Sequence, residues 1–248
     1  YERFDYDVAA CLRFHEAVDA HIVPLVARLN RERQALLGVE MLRPWDLEVD
    51  PQGRPPLQPF VTAGDLVTCA AEVFARVDGQ FGDCFRFLQA RGLLDLENRR
   101  GKAPGAYHED LPDRRWLFVF MNAVGLDRDV RVLTHEAGHA FHSLAAREEP
   151  LLDYRHPPVE FAEVAAMAME LLTLPHVDVF YPSSADRRRV HRMRLEGIAR
   201  FLPWIATVDR FQQWLYTHPG HTREARRAAW LRTYRRFQKN RHRLTHVW

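Results

Sequence analysis

Apolar residues recur at steps of three and four between Asp129 and Glu149, where Val130, Leu133, Ala137, Ala140, Phe141 and Leu144 form one stripe. That period predicts an amphipathic helix with Asp129 as its N-cap and Arg147 near its far end. A second helical stretch, VEFAEVAAMAMELLTL, follows Pro157 and Pro158, a favourable helix entry, and runs to Pro175. The pattern places further helices over 5–37, 65–77, 80–91, 186–217 and 221–239. Pro24 is expected to break or kink the first of these, and Gly92 to stop the helix before it. Residues 43–60 are proline-rich and read as an extended connector. Over 101–123 the character changes: GKAPGAY is turn-rich, and WLFVFMN is a compact aromatic and β-branched run that reads as a strand. The pattern as a whole predicts a mainly α fold with a small β-sheet, without internal repeats or low-complexity linkers.

Composition narrows the class. The chain has 248 residues, of which 47% are hydrophobic, and a formal charge of +2. It is long enough to bury a core and too apolar and evenly charged to be a disordered segment. Cys11, Cys69 and Cys84 are few, odd in number and without zinc-knuckle spacing. They point to a reducing, cytoplasmic setting and away from a disulfide framework. The apolar run WLFVFMNAVGL is too short to span a bilayer, so no membrane partner is expected. The first residue is Tyr1 and not Met, so the natural start is expected to have been removed, and a missing signal peptide says little about location. Lys102 and Lys239 are the only lysines among many arginines, a bias read as compositional and without functional weight.

The basic end of the chain raises nucleic-acid binding. Between Arg223 and Arg243 there are nine Arg or Lys residues against Glu224 alone, with Trp230, Tyr234 and Phe237 interleaved. Those aromatics fall at i, i+4 and i+7, which is one helix face. The expectation is therefore a docked helix with solvated arginines, and no nucleic-acid partner.

The 129–149 helix also carries chemistry. It contains His135, Glu136 and His139 in the pattern H-E-x-x-H. Residues four apart lie one turn above each other, so both imidazoles can reach one metal ion, while Glu136 points about 100° away and flanks a water on that ion. Burying several imidazoles among Leu, Val and Phe without partners would be costly, which favours the metal reading. His142 extends the same face, but it lies roughly 10 Å along the axis from His135, too far for three side chains to meet at one ion. It reads as a packing or supporting residue. The position six after His139, where one class of zinc peptidase has a third histidine, is Ala145. The second helix supplies carboxylates instead. Glu160, Glu163 and Glu170 share one face in an apolar stretch, and a buried carboxylate needs a partner. Glu163 is favoured as third ligand, although periodicity alone does not separate it from Glu160.

The order GKAPGAY, LFVFMN, DVRVLTHEAGHAFHSL and PPVEFAEVAAMAMELL resembles the oligoendopeptidase F group of the thimet oligopeptidase-like zinc metallopeptidases. RPWDLEVDP before this block and FLPWIATVDRFQQWLYTHPGH after it match as well, so the resemblance covers most of the chain. It implies a zincin-like (gluzincin) core, largely helical, with a small sheet beside a channel that admits short unfolded peptides. It implies one Zn2+ per chain on His135, His139 and Glu163, with Glu136 as general base, and hydrolysis of oligopeptides as the activity. It also selects Glu163 over Glu160, because Glu170 falls where the family has a second glutamate seven positions on; Glu170 is then expected to hold an imidazole through its second nitrogen. The strand around Phe118–Met121 has two readings of equal weight, pairing with an extended substrate and simple sheet packing.

The resemblance divides the chain into a helical part over 1–100, the sheet and zinc helices over 101–175, and C-terminal helices over 176–248. The family's C-terminal segment, with a histidine and paired tyrosines that stabilise the oxyanion, has no counterpart here, nor has its amino-terminal helical portion. The chain is therefore expected to be a partial catalytic domain, incomplete at both ends. The alternative to an active peptidase is a zinc-binding piece with weak or no activity. Open helix faces would then favour self-association.

Overall fold

The computed structural model describes residues 5–238, which are mainly helical with one small sheet. They form two compact units: residues up to Pro55 together with those from Arg192 onward, and Pro56–His191.

In the first unit, α1 (Val8–Ala17) is capped by Asp7, whose carboxylate accepts from the Ala10 amide at 2.8 Å. A π-turn over Val18–Ile22 leads into α2 (Val23–Leu37), which closes at Gly38 in the left-handed conformation, φ 65°. The interruption expected at Pro24 takes the form of this π-turn, which separates α1 from α2. Pro24 stands in the first turn of α2, and the irregularity lies in the residues immediately before it. The connector over 43–60 is not wholly extended either: Pro44–Leu47 forms a 3-10 turn, held by the Arg33 guanidinium on the carbonyls of Asp46 and Leu47 at 2.7 and 2.9 Å.

Helices α7 (Ser184–Thr217) and α8 (Arg223–Phe237) complete this unit; the part of α7 from Arg192 belongs to it. On α8, Trp230 packs edge-on against Phe211 and Trp204 of α7, with ring centroids 5.1 and 6.1 Å apart. Phe237 is buried with Val18, Val23 and Ala206. Arg232, Arg235 and Arg236 are exposed. The aromatic face thus docks and the arginines meet water. The expected helix end at Lys239 and the rest of the basic tail lie outside the described residues.

The second unit holds the larger core. Helix α3 (Ala63–Val77) starts with a capping box between Thr62 and Asp65, and α4 (Gly79–Ala90) starts at an Asp78 cap. Strands β1 (Leu94–Glu97), β2 (Tyr107–Leu111) and β3 (Trp116–Ala123) form a sheet in the order β1-β3-β2, with β1 parallel and β2 antiparallel to β3. The sequence pattern announces β3 and misses β1 and β2, which are short and polar. Because β3 is central and pairs with β1 and β2, the Phe118–Met121 segment packs within the sheet, which is the second of its two readings, and offers no edge to a substrate. The outer strand on that side is β2.

Helix α5 (Asp127–Ala146) lies against β2 and β3. Its inner face packs Leu133, Ala137, Ala140, Phe141 and Leu144 into the core, where Phe141 meets Phe74 edge-on and Phe81 in a stack at centroid distances of 5.0 and 5.2 Å. The helix starts two residues before the expected N-cap. Asp129 sits in the first turn instead, and its carboxylate accepts from the amides of Val124 at 2.8 Å and Leu126 at 2.9 Å. Helix α6 (Val159–Leu172) packs along α5 and runs into a 3-10 turn, Leu174–Val179. Among the described residues no helix is long and apolar enough to cross a membrane.

Candidate metal centre

Two helices must approach closely for their side chains to share an ion, and α5 and α6 do. The reason is Gly138, between Glu136 and the second histidine of the motif. A Cβ there would lie 2.6 Å from the Cα of Ala166 and 2.8 Å from the carbonyl oxygen of Ala165. Glycine on one helix and alanine on the other let the backbones touch. Ala166 is fully buried in that seam.

This approach brings Glu163 of α6 over the histidine face of α5. Glu163 Oε2 stands 3.5 Å from His135 Nε2, and Glu163 Oε1 stands 3.7 Å from His139 Nε2. The three ligand atoms lie within 4.8 Å of one another. The spacing is informative. It is long for a hydrogen bond, but ligands bound at 2.0–2.1 Å around a tetrahedral ion are separated by about 3.4 Å. One carboxylate and two imidazoles at this spacing fit a catalytic zinc site with a position left open. Glu163 is half exposed, so the position is open to solvent, whereas His139 is nearly buried.

The neighbouring groups prepare the imidazoles. Glu170, two turns along α6, places Oε1 2.9 Å from His135 Nδ1. That bond puts the proton on Nδ1 and leaves the Nε2 lone pair facing Glu163. In the metal-free chain the same hydrogen bond raises the His135 pKa, against the effect of burial. His139 is shifted the other way, to about 4, chiefly by burial and then by His108 and His135 nearby. A neutral imidazole is the form that binds metal.

Glu136 is buried on the adjacent face of α5. Burial is the main cause that raises its pKa, and Glu163 adds to it, while His135 and a hydrogen bond from the His108 backbone act in the opposite sense. A carboxylate whose pKa burial raises is a better proton acceptor than a solvated one, which suits a general base.

The sequence pattern does not point to His108. It lies on β2, where exposure alternates and turns His108 and Asp110 inward. Its ring stacks on His139 at a centroid distance of 4.8 Å and an interplanar angle of 23°. With Glu136 and His139 it makes a second group of donors that could hold an ion. A lone histidine in a short polar strand gives no periodic signal, and only the pairing of β2 with β3 reveals its direction. The two other candidates stay apart: neither Glu160 nor His142 belongs to either donor group. His142 Nδ1 is buried without a hydrogen-bond partner among the described residues.

Comparison with known proteins places this geometry in context. Residues 1–247 match Peptidase family M3. An oligoendopeptidase F homolog of Lactococcus lactis subsp. lactis is 28% identical over 155 residues, 62% of this chain and 25% of that protein. The group B oligopeptidase PepB of Streptococcus agalactiae is 26% identical over 153 residues, 60% of this chain and 24% of that protein. The solved structure of PZ peptidase A with inhibitor 2 superposes with a TM-score of 0.89 at 30% identity, covering 98% of this chain and 43% of that one. The chain thus matches about a quarter of the length of these curated relatives.

Proposed function

The chain belongs to peptidase family M3, and we propose that it is a zinc-dependent endopeptidase acting on short, unfolded peptides, with one Zn2+ held by His135, His139 and Glu163 and with Glu136 as general base. The observation that carries this reading is the convergence of Glu163 on the Nε2 atoms of both histidines at 3.5 and 3.7 Å, beside a buried Glu136.

When bound, zinc would supply a Lewis acid that polarises a peptide carbonyl and acidifies a nearby water. The chain's own residues do the rest. Glu170 fixes the His135 ring through Nδ1. The Glu136 carboxylate accepts the water's proton and returns it to the leaving amine nitrogen. Strand β2 is the outer strand of the sheet beside α5, so an extended peptide would add to its edge, next to Glu136, and not to β3.

The test combines zinc stoichiometry with cleavage of a quenched fluorescent peptide, for the native chain and for Glu136→Gln. The native chain should bind one zinc and cleave the peptide. The variant should keep its zinc and lose roughly 100- to 10,000-fold in turnover, the usual contribution of a general base. A native chain without zinc, or a variant as active as the native chain, would overturn the reading.

A further inference from the structure

Lys102 lies outside the donor groups, yet it is among the most constrained cations of the chain. Its side chain is 1% exposed. Its ammonium donates to the carbonyls of Asp95 at 2.9 Å, Glu97 at 2.8 Å and Met121 at 2.5 Å, and stands 3.0 Å from Asp95 Oδ1. It also sits 4.4 Å from the centre of the Phe120 ring.

The cage has a cause in the sheet. The register between β1 and β3 runs Leu94↔Val119, Asp95↔Phe120 and then Glu97↔Ala123, so β3 carries an extra residue at Met121–Asn122. A bulge leaves backbone groups without ladder partners, and a buried carbonyl needs a donor. Lys102 supplies it. A compact ammonium with three donors suits a ring of carbonyls; a planar guanidinium, larger and with its donors in a fixed fork, does not. In a chain that otherwise uses arginine almost throughout, lysine at this position reflects that geometry and not composition.

The same bulge holds a second tether. The Asn122 side-chain amide donates to the carbonyls of Ala103 at 2.9 Å and Gly105 at 3.0 Å. Lys102 and Asn122 thus pin the segment 102–105 to the β1–β3 pair immediately before β2 begins. On β2, His108 stacks against His139, and its backbone hydrogen-bonds Glu136.

We propose that Lys102 and Asn122 are positioning residues of the metal centre: by anchoring the GKAPGAY segment to the β3 bulge they hold β2 in register, and through His108 they hold the carboxylate of Glu136 in place. The proposal rests on the peptidase reading above. It assigns no contact with substrate to either side chain.

The experiment uses the full zinc-loaded chain and the variants Lys102→Met, Lys102→Arg and Asn122→Ala. Amide exchange is followed by mass spectrometry in peptides covering 107–111 and 127–146, with zinc content and turnover per bound zinc measured on the same samples. In each variant, exchange over 107–111 should rise about tenfold or more while that of α5 stays as in the native chain, the mark of local release and not global loosening. Zinc content should stay at one per chain, and turnover per zinc should fall about tenfold or more. Lys102→Arg should not restore the native behaviour.

Unchanged exchange over 107–111 in a folded variant would overturn the proposal. So would equal loosening of β2 and α5, or native turnover per zinc despite a loosened β2. Should Lys102→Met fail to fold, Asn122→Ala, which removes no buried charge, decides by the same criteria. If the native chain binds zinc but turns over no peptide, the peptidase reading fails, while the exchange data still decide whether the two residues hold β2.

Discussion

A Cβ on Gly138 would meet the Cα of Ala166 at 2.6 Å, so α5 and α6 touch backbone to backbone directly beside the two imidazoles. This contact sets the height of α6 along α5, and with it the position of Glu163. Gly138→Ala must push the helices apart. The expected result is a loss of about 1–3 kcal/mol in urea unfolding of the metal-free chain, as for other overpacked cores. Zinc affinity, read by competition with a chelator, should fall at the same time because Glu163 withdraws. Native zinc affinity in a destabilised variant would show that the seam packs the core without positioning the ligand.

Glu170 offers a second handle. Its carboxylate is the group that orients His135, at 2.9 Å from Nδ1. Glu170→Ala should lower zinc affinity about 10- to 100-fold, the usual consequence of removing the partner of a ligating histidine. Chelator competition measures it directly, and an unchanged affinity would remove Glu170 from the site.

Glu163 and Glu160 make a comparison on one helix. Glu163→Ala should weaken zinc binding far more than Glu160→Ala, because only Glu163 stands with the two Nε2 atoms. Equal or inverted effects would mean that α6 presents a different face to the ion.

That comparison also shows how far the sequence could be read. The apolar stripe of α5 is legible because Leu133, Ala137, Ala140 and Phe141 all face one core, and a repeating environment leaves a repeating pattern. The H-E-x-x-H spacing is legible for the same reason, since four residues make about one turn. The choice between Glu160 and Glu163 is not, because both lie on one face. It depends on the axial fit of α6 against Gly138, a tertiary contact with no period. His108 is hidden for a related reason: five residues of polar strand acquire an inner face only when β3 pairs with them. The role of Lys102 is hidden as well, since a bulge between two strands distant in sequence cannot be read from either one. The start of α5 is hard to read because an aspartate at the third helical position, which reaches back to the amides of Val124 and Leu126, looks in sequence like an N-cap aspartate.

The β1–β3 corner should carry an acid-sensitive part of the stability. Hydrogen bonds from Arg99, with support from Lys102 and against a burial cost, hold the Asp95 pKa at about 2, below the ordinary 3.8. A folded pKa below the unfolded one means stability that is fully present above about pH 4 and is lost as the pH falls through about 2. In thermal melts with chelator present, the native chain should be more stable than Asp95→Asn near neutrality, and the gap should close over that acid window. A gap independent of pH would assign the effect to packing and not to the charge of Asp95.

The most direct measurement is the anomalous diffraction of a zinc-loaded crystal on either side of the zinc edge. The expected peak is a single ion about 2.0–2.2 Å from His135 Nε2, His139 Nε2 and a Glu163 oxygen, with Glu136 next to the open position and not bound to it. A peak among His108, Glu136 and His139 instead, or none at these residues, would contradict the assignment of ligands and of the general base together.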